Sequence, residues 1–140
     1  MSYYSDIRLM VLDLRVGRVI DHMHRVSSNN QNDIITNIIN ESIYKMRNLN
    51  NNLENLCKQY KKYSDHEEKT RDQELDIIKI IYTILTLIGD ESHEVAFKLS
   101  NEINDDNKNI SNNRILKGLI QILERVHIRT RYSKIIELLK

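Results

Sequence analysis

The near absence of residues that break helices and form turns constrains this chain more than any other feature. Its 140 residues include no Pro and only three Gly, at positions 17, 89 and 118. Folds built from many short strands need frequent turns rich in Gly and Pro, so this composition favours few, long elements, which are usually helices. A chain of this length is expected to form one domain. The sequence therefore predicts a single all-α domain over residues 1–140.

The charge balance and the single cysteine limit the class of protein. The chain carries 21 Lys and Arg against 20 Asp and Glu, a formal net charge of +1, which argues against a protein that coats nucleic acid along its whole surface. A lone Cys57 and a start without a small-residue cleavage site predict an intracellular, cytoplasmic protein. The longest nearly uncharged run, Ile80 to Gly89, is about half of the ~20 residues that span a bilayer, so no membrane insertion is expected.

Apolar residues spaced three and four apart predict a long amphipathic helix over Ile34 to Tyr63. This pattern favours either one helix or two collinear helices that separate at the asparagine run 50–52, because asparagine forms helices poorly. The preceding residues 27–33 are turn formers, and Asn32 or Asp33 is positioned to cap the helix. Residues 5–24 favour a further helix ahead of that turn.

The segment from Leu75 to Ile88 is almost entirely Ile and Leu, with only Asp76 and Lys79 charged. A helix that is apolar on nearly all sides is expected to lie at the centre of a bundle, surrounded by other helices. Gly89 is then expected to end it.

Further helices are expected beyond this central one. A shorter helix is predicted to begin at Asp90 or Ser92, followed by a polar loop over residues 104–113. The segment from Arg114 to Lys140 is predicted to be helical with a bend at Ile128 to Thr130. The resulting fold prediction is a compact bundle of six to seven helices around Leu75 to Ile88.

The residues that usually carry chemistry form no recognisable site. His22 and His24 point about 200° apart on a helix and cannot share an ion. Cys57 follows Leu56 and is interpreted as a buried thiol rather than a nucleophile. Three scattered glycines cannot form a phosphate-binding loop. The sequence therefore predicts a protein that is not an enzyme, with no catalytic residue, cofactor or metal.

Two basic segments suggest nucleic acid as an alternative partner. In the first, cations alternate with Tyr60 and Tyr63, as in platforms for single strands; the second lies near the end of the chain. The cations of both are Lys58, Lys61, Lys62, Arg125, Arg129, Arg131 and Lys134. Each segment can equally be an ordinary solvated face whose long side chains cover apolar surface.

The central segment and the helices after it resemble the small poxvirus Bcl-2-like proteins. The resemblance rests on the apolar helix Ile77 to Ile88, the Gly89 stop and the amphipathic segments from Glu94 and Arg114. The chain has no Trp and so lacks an Asn-Trp-Gly-Arg signature, and no C-terminal membrane anchor is expected. The resemblance therefore implies the soluble branch of that family, whose members bind host signalling proteins or dimerise through a helical face.

The leading functional hypothesis is a viral, non-enzymatic interaction protein that binds a host apoptosis or innate-immune signalling protein. The expected contact is an apolar groove that accepts an amphipathic helix, or a helical face that forms a homodimer. Aromatic side chains on otherwise polar helices are the candidate anchors, although they can equally belong to the core. They are Tyr44, Tyr60, Tyr63 and Phe97.

Overall fold

The computed structural model describes residues 11–12, 14–64, 71–105 and 110–131, and their regular structure is entirely helical. The described residues from Val16 onwards form four helices, named here α1 to α4. They are α1 (Val16–Asn29), α2 (Asp33–Ser64), α3 (Arg71–Asp105) and α4 (Ile110–Arg131). The prediction of an all-α fold is confirmed. The predicted six to seven helices are wrong for the described part of the chain, because segments expected to be separate helices are continuous.

The predicted helix stop at Gly89 is wrong. Helix α3 continues through this residue, so the helix expected from Asp90 or Ser92 is the second half of α3. A glycine ends a helix where its backbone enters the left-handed region, and Gly89 does not have a positive φ. A glycine inside a helix costs about 1 kcal/mol relative to alanine. Burial of the neighbouring Ile88 and Ser92 offsets that cost.

Two other positions where the sequence suggested a bend or a break are also inside continuous helices. Helix α4 continues without a break to Arg131, so the bend expected at Ile128 to Thr130 is not found. Helix α2 passes through the asparagine run 50–52, which selects the single-helix alternative. Asparagine costs only about 0.7 kcal/mol per position in a helix. Complete burial of Leu53, directly after that run, contributes about 1.5–3 kcal/mol, which offsets the roughly 2 kcal/mol cost of three asparagines.

Consecutive helices run antiparallel. Helices α2 and α3 contain 32 and 35 residues, so each is about 50 Å long. The six residues between them reach at most about 25 Å, too short to connect two such helices in parallel. The main packing contacts form a closed circuit in which α1 contacts α2, α2 contacts α3, α3 contacts α4, and α4 returns to α1. The arrangement is an antiparallel four-helix bundle.

The junction between α1 and α2 is fixed by side-chain caps. The Asn32 side-chain oxygen accepts hydrogen bonds from the backbone N–H groups of Ile34, at 2.9 Å, and Ile35, at 3.3 Å. This confirms Asn32 as the cap of α2. The predicted loop 27–33 is shorter than expected, because α1 extends to Asn29. Ser27 is buried, and its hydroxyl donates to the Asn40 side-chain oxygen at 2.7 Å.

The core lies between the four helices, and α3 contributes most to it. Its buried apolar residues recur every three or four positions: Ile77, Ile78, Ile81, Ile84, Leu85, Ile88, Val95, Ala96, Leu99 and Ile103. Helices α2 and α4 cover two sides of α3, but Ile80 and Leu87 remain 48% and 47% exposed. The sequence predicted that Leu75 to Ile88 is enclosed on all sides. That prediction is wrong for the outer face of the helix, which is exposed at Ile80 and Leu87. Within the described ranges, none of the helices is long and apolar enough to cross a bilayer.

Candidate interaction surface

The outer face of α3 carries three exposed apolar side chains. Ile80 and Leu87 are two turns apart on the same line of the helix, and Phe97, which is 62% exposed, lies about 80–100° around the helix from that line. A globular protein usually turns the apolar side of a helix towards its core and leaves polar residues outside. This face, defined by Ile80, Leu87 and Phe97, departs from that pattern.

Helices α3 and α4 approach each other closely at Gly89, beside this outer face. Gly89 is buried, and a Cβ atom at this position would overlap the Thr130 side chain. The His127 ring donates from Nδ1 to the Gly89 carbonyl oxygen at 3.1 Å. The Thr130 hydroxyl donates to the His127 carbonyl oxygen at 2.8 Å. The missing side chain of Gly89 therefore allows the two backbones to come together here.

A pair of stacked histidines continues this contact towards solvent. The His93 and His127 rings lie 4.6 Å apart between centroids, with their planes 25° from parallel. The His93 Nδ1 atom lies 2.9 Å and 3.2 Å from the two carboxylate oxygens of Glu124. Both Nδ1 atoms therefore have acceptors, which assigns the ring proton to Nδ1 in each neutral imidazole.

No cluster of three or more His, Cys, Asp or Glu side chains suitable for a metal occurs among the residues that the structure describes. The contacts observed at this position are the hydrogen bonds of the two rings and their stacking.

Apolar residues lie on both sides of the His93–Glu124 pair. Phe97 is one turn beyond His93 on α3, and Ile128, which is 53% exposed, is one turn beyond Glu124 on α4. Because α3 and α4 are antiparallel, these two steps lead in opposite directions. The outer face of α3 thus extends across the contact onto α4, and we call the whole area the α3–α4 surface, defined by Leu87, His93, Phe97, Glu124 and Ile128.

Charge is divided unequally between the two helices of this surface. The range of α3 contains eight acidic residues and three basic ones, whereas that of α4 contains five basic residues and one acidic. The acidic residue of α4 is Glu124, which is already engaged by His93. The exposed charged side chains described on α4 are all cations: Arg114, Lys117, Arg125, Arg129 and Arg131. The chain has a net charge of only +1, yet its acidic helix α3 lies beside its basic helix α4.

Lys98 illustrates the acidic character of α3. Its ammonium group lies 3.2 Å from the Glu94 carboxylate, and this hydrogen-bonded ion pair raises the pKa of Lys98 above its ordinary value. The charges of Glu41 on α2 and Glu91 on α3 raise the pKa further. One of the few cations of α3 is therefore surrounded by carboxylates, and its charge is largely balanced locally.

The four predicted aromatic anchors are not together. Phe97 belongs to the α3–α4 surface, while Tyr44 is 70% exposed on α2, outside that surface. Tyr60 is fully buried at 0% exposure, so it cannot anchor a partner and has the core position that was its alternative. The side chain of Tyr63 lies outside the described residues.

The predicted basic residues also divide between separate helices. Lys58 is exposed on α2, whereas Arg125, Arg129 and Arg131 are exposed on α4, and these two helices do not form one of the main contacts of the bundle. The described residues therefore do not bring the two basic segments into one patch. The side chains of Lys61 and Lys62, and Lys134 altogether, lie outside the described part of the chain.

The cluster of His93, Glu124 and His127 was not predicted from the sequence. Glu124 and His127 are three residues apart and share a helix face, which is a signal that the sequence contains. His93 lies more than thirty residues earlier in the chain, and no motif links it to them. Only the antiparallel pairing of α3 and α4 brings the three together.

The chain matches no known protein family, no curated protein and no solved structure. The functional conclusion therefore rests on the surface of the molecule.

Proposed function

We propose that this protein is a non-enzymatic interaction protein that binds another protein through the outer face of α3. The observation that supports this most directly is the half-exposure of Ile80 and Leu87 on a helix whose sequence is apolar on nearly all sides. A helix of that composition is normally enclosed. A partner that covers the outer face would complete the enclosure that the described residues do not provide.

The exposed apolar side chains of this face would contribute to binding. Fully burying a side chain of the size of Leu, Ile or Phe stabilises by about 1.5–3 kcal/mol. Ile80, Leu87 and Phe97 are each about half exposed, so a partner would gain roughly half of that value at each position. An amphipathic helix laid along α3 would cover Ile80 and Leu87, which are two turns apart on one line of the helix.

The class of partner is proposed from the resemblance to the small poxvirus Bcl-2-like proteins. It points to a host apoptosis or innate-immune signalling protein, met in the cytoplasm of an infected cell. The helix stop at Gly89, one of the features behind the resemblance, is not present in the structure. Support for the viral assignment therefore comes from the apolar segment Ile77 to Ile88 before it and the amphipathic segments from Glu94 and Arg114 after it.

Affinity capture with matched surface variants tests the proposal. We expect the parent chain to capture a defined host protein that the double variant Ile80→Lys, Leu87→Lys no longer captures, because two ammonium groups would face an apolar partner. Asn48→Lys with Asn52→Lys, at two exposed positions of α2, adds the same charge elsewhere and should retain the partner. Circular dichroism establishes that all three are folded. Equal capture by the double variant and the parent would contradict the proposal.

Nucleic-acid binding by α4 is the second candidate, favoured by the exclusively positive charge of its described exposed side chains. Binding of this kind weakens with salt, with a logarithmic slope of about 0.9 per phosphate neutralised on duplex DNA. We expect Lys117→Glu with Arg131→Glu to remove such binding, while Lys58→Glu on α2 leaves it largely intact. Absent or salt-independent binding to both duplex and single strands would exclude this function.

A further inference from the structure

We propose that α1 and α4 together bind the phosphate backbones of a double-stranded nucleic acid. The two helices are adjacent in the bundle, and the site is the outward side that they share. We call it the α1–α4 face, defined by Arg18, Arg25, Arg114, Arg125 and Arg129. The inference rests on the second candidate of the proposed function, because it names the form of the nucleic acid and adds α1, which that candidate does not include.

Exposed positive charge is concentrated on α1 and α4. Among the described residues, the exposed acidic and basic side chains of these two helices and of the α1 N-cap are eight cations and one carboxylate, that of Asp21. The exposed charges described on the other helices are mixed, with three acidic and three basic on α2, and three acidic and two basic on α3. The eight cations are Arg15, Arg18, Arg25, Arg114, Lys117, Arg125, Arg129 and Arg131.

The exposed arginines of α1 are turned away from α2. His24 and Ser27 mark the side of α1 that contacts α2, because the His24 Nε2 atom accepts a hydrogen bond from the Arg47 guanidinium at 2.6 Å and Ser27 is bonded to α2 as described. Arg18 and Arg25 are two turns apart on one line of α1. Both lie at least about 100° around the helix from His24 and Ser27.

The exposed arginines of α4 are turned away from α3 in the same manner. Glu124 and His127 mark the side of α4 that contacts α3. Arg125 and Arg129, one turn apart, lie at least about 100° around the helix from both of them. Because the other neighbour of α4 is α1, the arginines of the two helices share one outward side.

The arginines of α1 and α4 also lie at similar heights along the bundle. Interactions between successive helices set the heights, and they join His24 to Arg47, Glu41 to Lys98, and His93 to Glu124. Because successive helices are antiparallel and rise equally, these interactions place Arg25 level with about residue 124 of α4. Arg18, seven residues earlier, is then level with about residue 131. The arginines of α1 therefore lie beside Arg125 and Arg129.

Three of these arginines are not neutralised by the carboxylates that the structure describes. The described ion pairs join Lys45 to Glu41, His93 to Glu124, and Lys98 to Glu94. None of them includes Arg18, Arg25 or Arg125. Asp21 is one turn from both arginines of α1 but forms an ion pair with neither. Like charges held on two packed helices produce a positive potential that attracts a polyanion.

The chemistry of the α1–α4 face favours a duplex over other polyanions. The planar guanidinium of arginine binds phosphate oxygens in pairs. Sites for single strands need aromatic side chains for stacking, and none of the described exposed side chains of α1 and α4 is Phe, Tyr or Trp. A helix on a membrane surface needs a free apolar face, whereas the main apolar faces of α1 and α4 are buried in the core. A duplex, with one negative charge per ~1.7 Å of its axis, requires neither.

The length of the face indicates how many phosphates it can contact. The cations of α4 from Arg114 to Arg131 extend over about 25 Å, less than one duplex turn of ~34–36 Å. With one contact for each of its arginines, the face would neutralise up to about five phosphates. Contacts to phosphates carry no sequence information, so we expect binding without sequence preference.

Fluorescence anisotropy of labelled duplexes of about 20 base pairs, roughly two helical turns, tests the face in a salt series. We expect the parent chain to bind both DNA and RNA duplexes of arbitrary sequence, more weakly as salt rises. Arg18→Gln with Arg25→Gln should weaken binding by about tenfold or more and reduce the logarithmic salt slope by about 2, because two phosphate contacts are lost. Lys45→Gln with Lys58→Gln removes the same charge from exposed positions of α2 and should bind like the parent. Circular dichroism should give the same helix content for all three chains.

Other outcomes overturn the inference in ways that can be told apart. If the α1 variant keeps the affinity and salt slope of the parent while Lys117→Glu with Arg131→Glu loses binding, the site is confined to α4 and only the second candidate stands. If the parent binds neither duplex at low salt, both are excluded, whereas protein capture through the outer face of α3 is measured separately. Tighter binding to the corresponding single strands would exclude a duplex site. Binding to phosphatidylserine vesicles that the α1 variant loses, without duplex binding, would assign the face to a membrane.

Discussion

Gly89 shows that the sequence alone does not distinguish a glycine that ends a helix from one that allows two helices to pack closely. Glycine ends helices because it tolerates the left-handed backbone region, and it also allows two helices to approach because it has no side chain. The neighbours of Gly89 in the sequence suit the first use, and the structure shows the second. The deciding contact is with Thr130, forty-one residues away, which no local pattern identifies.

Substitution of this glycine should destabilise the fold. In Gly89→Ala the new methyl group overlaps the Thr130 side chain, and overpacking of this kind costs about 1–3 kcal/mol. Gly118→Ala is the matched control, since nothing lies within 4 Å of the added atom and alanine favours the helix by about 1 kcal/mol. Urea denaturation should give a lower midpoint for the first variant and a higher one for the second. Stabilisation by both would show that α3 and α4 are further apart than described.

Ser42 is a second residue whose contribution can be measured. Its hydroxyl is buried and has no hydrogen-bond partner among the described residues. Ser42→Ala removes that unpaired group and improves helix propensity, so we expect stabilisation of about 1 kcal/mol. The hydroxyl of Ser92, by contrast, donates to the Ile88 carbonyl oxygen at 2.8 Å, so Ser92→Ala should gain less. Thermal unfolding of the two variants compares them, and a larger gain for Ser92→Ala would be the contrary result.

Helix α3 is the element on which the sequence was most informative and also most misleading. Its apolar periodicity predicted a major core helix, and the burial of residues from Ile77 to Ile103 confirms that role. Periodicity alone could not show that one face remains open. A helix is enclosed on all sides only if enough other helices pack around it. Several predicted segments are parts of the same long helices, so fewer helices are present to cover α3.

Two leucines on α3 separate its buried face from its open one. Leu85 is 1% exposed and Leu87 is 47% exposed, although they are only two residues apart. Leu85→Asp would bury an unpaired charge, so we expect loss of the cooperative fold, whereas Leu87→Asp should remain folded with an almost unchanged melting temperature. Circular dichroism against temperature distinguishes them. A folded Leu85→Asp variant would be incompatible with the position of α3 in the core.

The other elements show what local rules can and cannot supply. The cap at Asn32 and the length of α2 follow from capping preference and apolar spacing, both of which are local. The outward position of Phe97 and the burial of Tyr60 depend instead on how each helix is rotated against its neighbours. Both aromatic residues lie on amphipathic helices, so the sequence offered them as equivalent candidates. Tertiary packing makes one an anchor and the other a core residue.

At the scale of the whole molecule, the net charge of the chain is less informative than the charge of each helix. It correctly described a nearly neutral protein, but the bundle places an acidic helix against a basic one. The basic segment with Arg125, Arg129 and Arg131 already indicated the basic character of α4 from the sequence. Its position beside α3 required the topology.

The separation of charge between α3 and α4 also gives the molecule a permanent electric dipole. Formal charges of opposite sign on two helices whose axes pack about 10 Å apart correspond to a moment on the order of 200 debye directed across their contact. Near its isoelectric point of about 7.9 the protein stops migrating in an electric field, yet it still orients in one. On an anionic support it would adsorb with α4 downwards, and on a cationic support with α3 downwards.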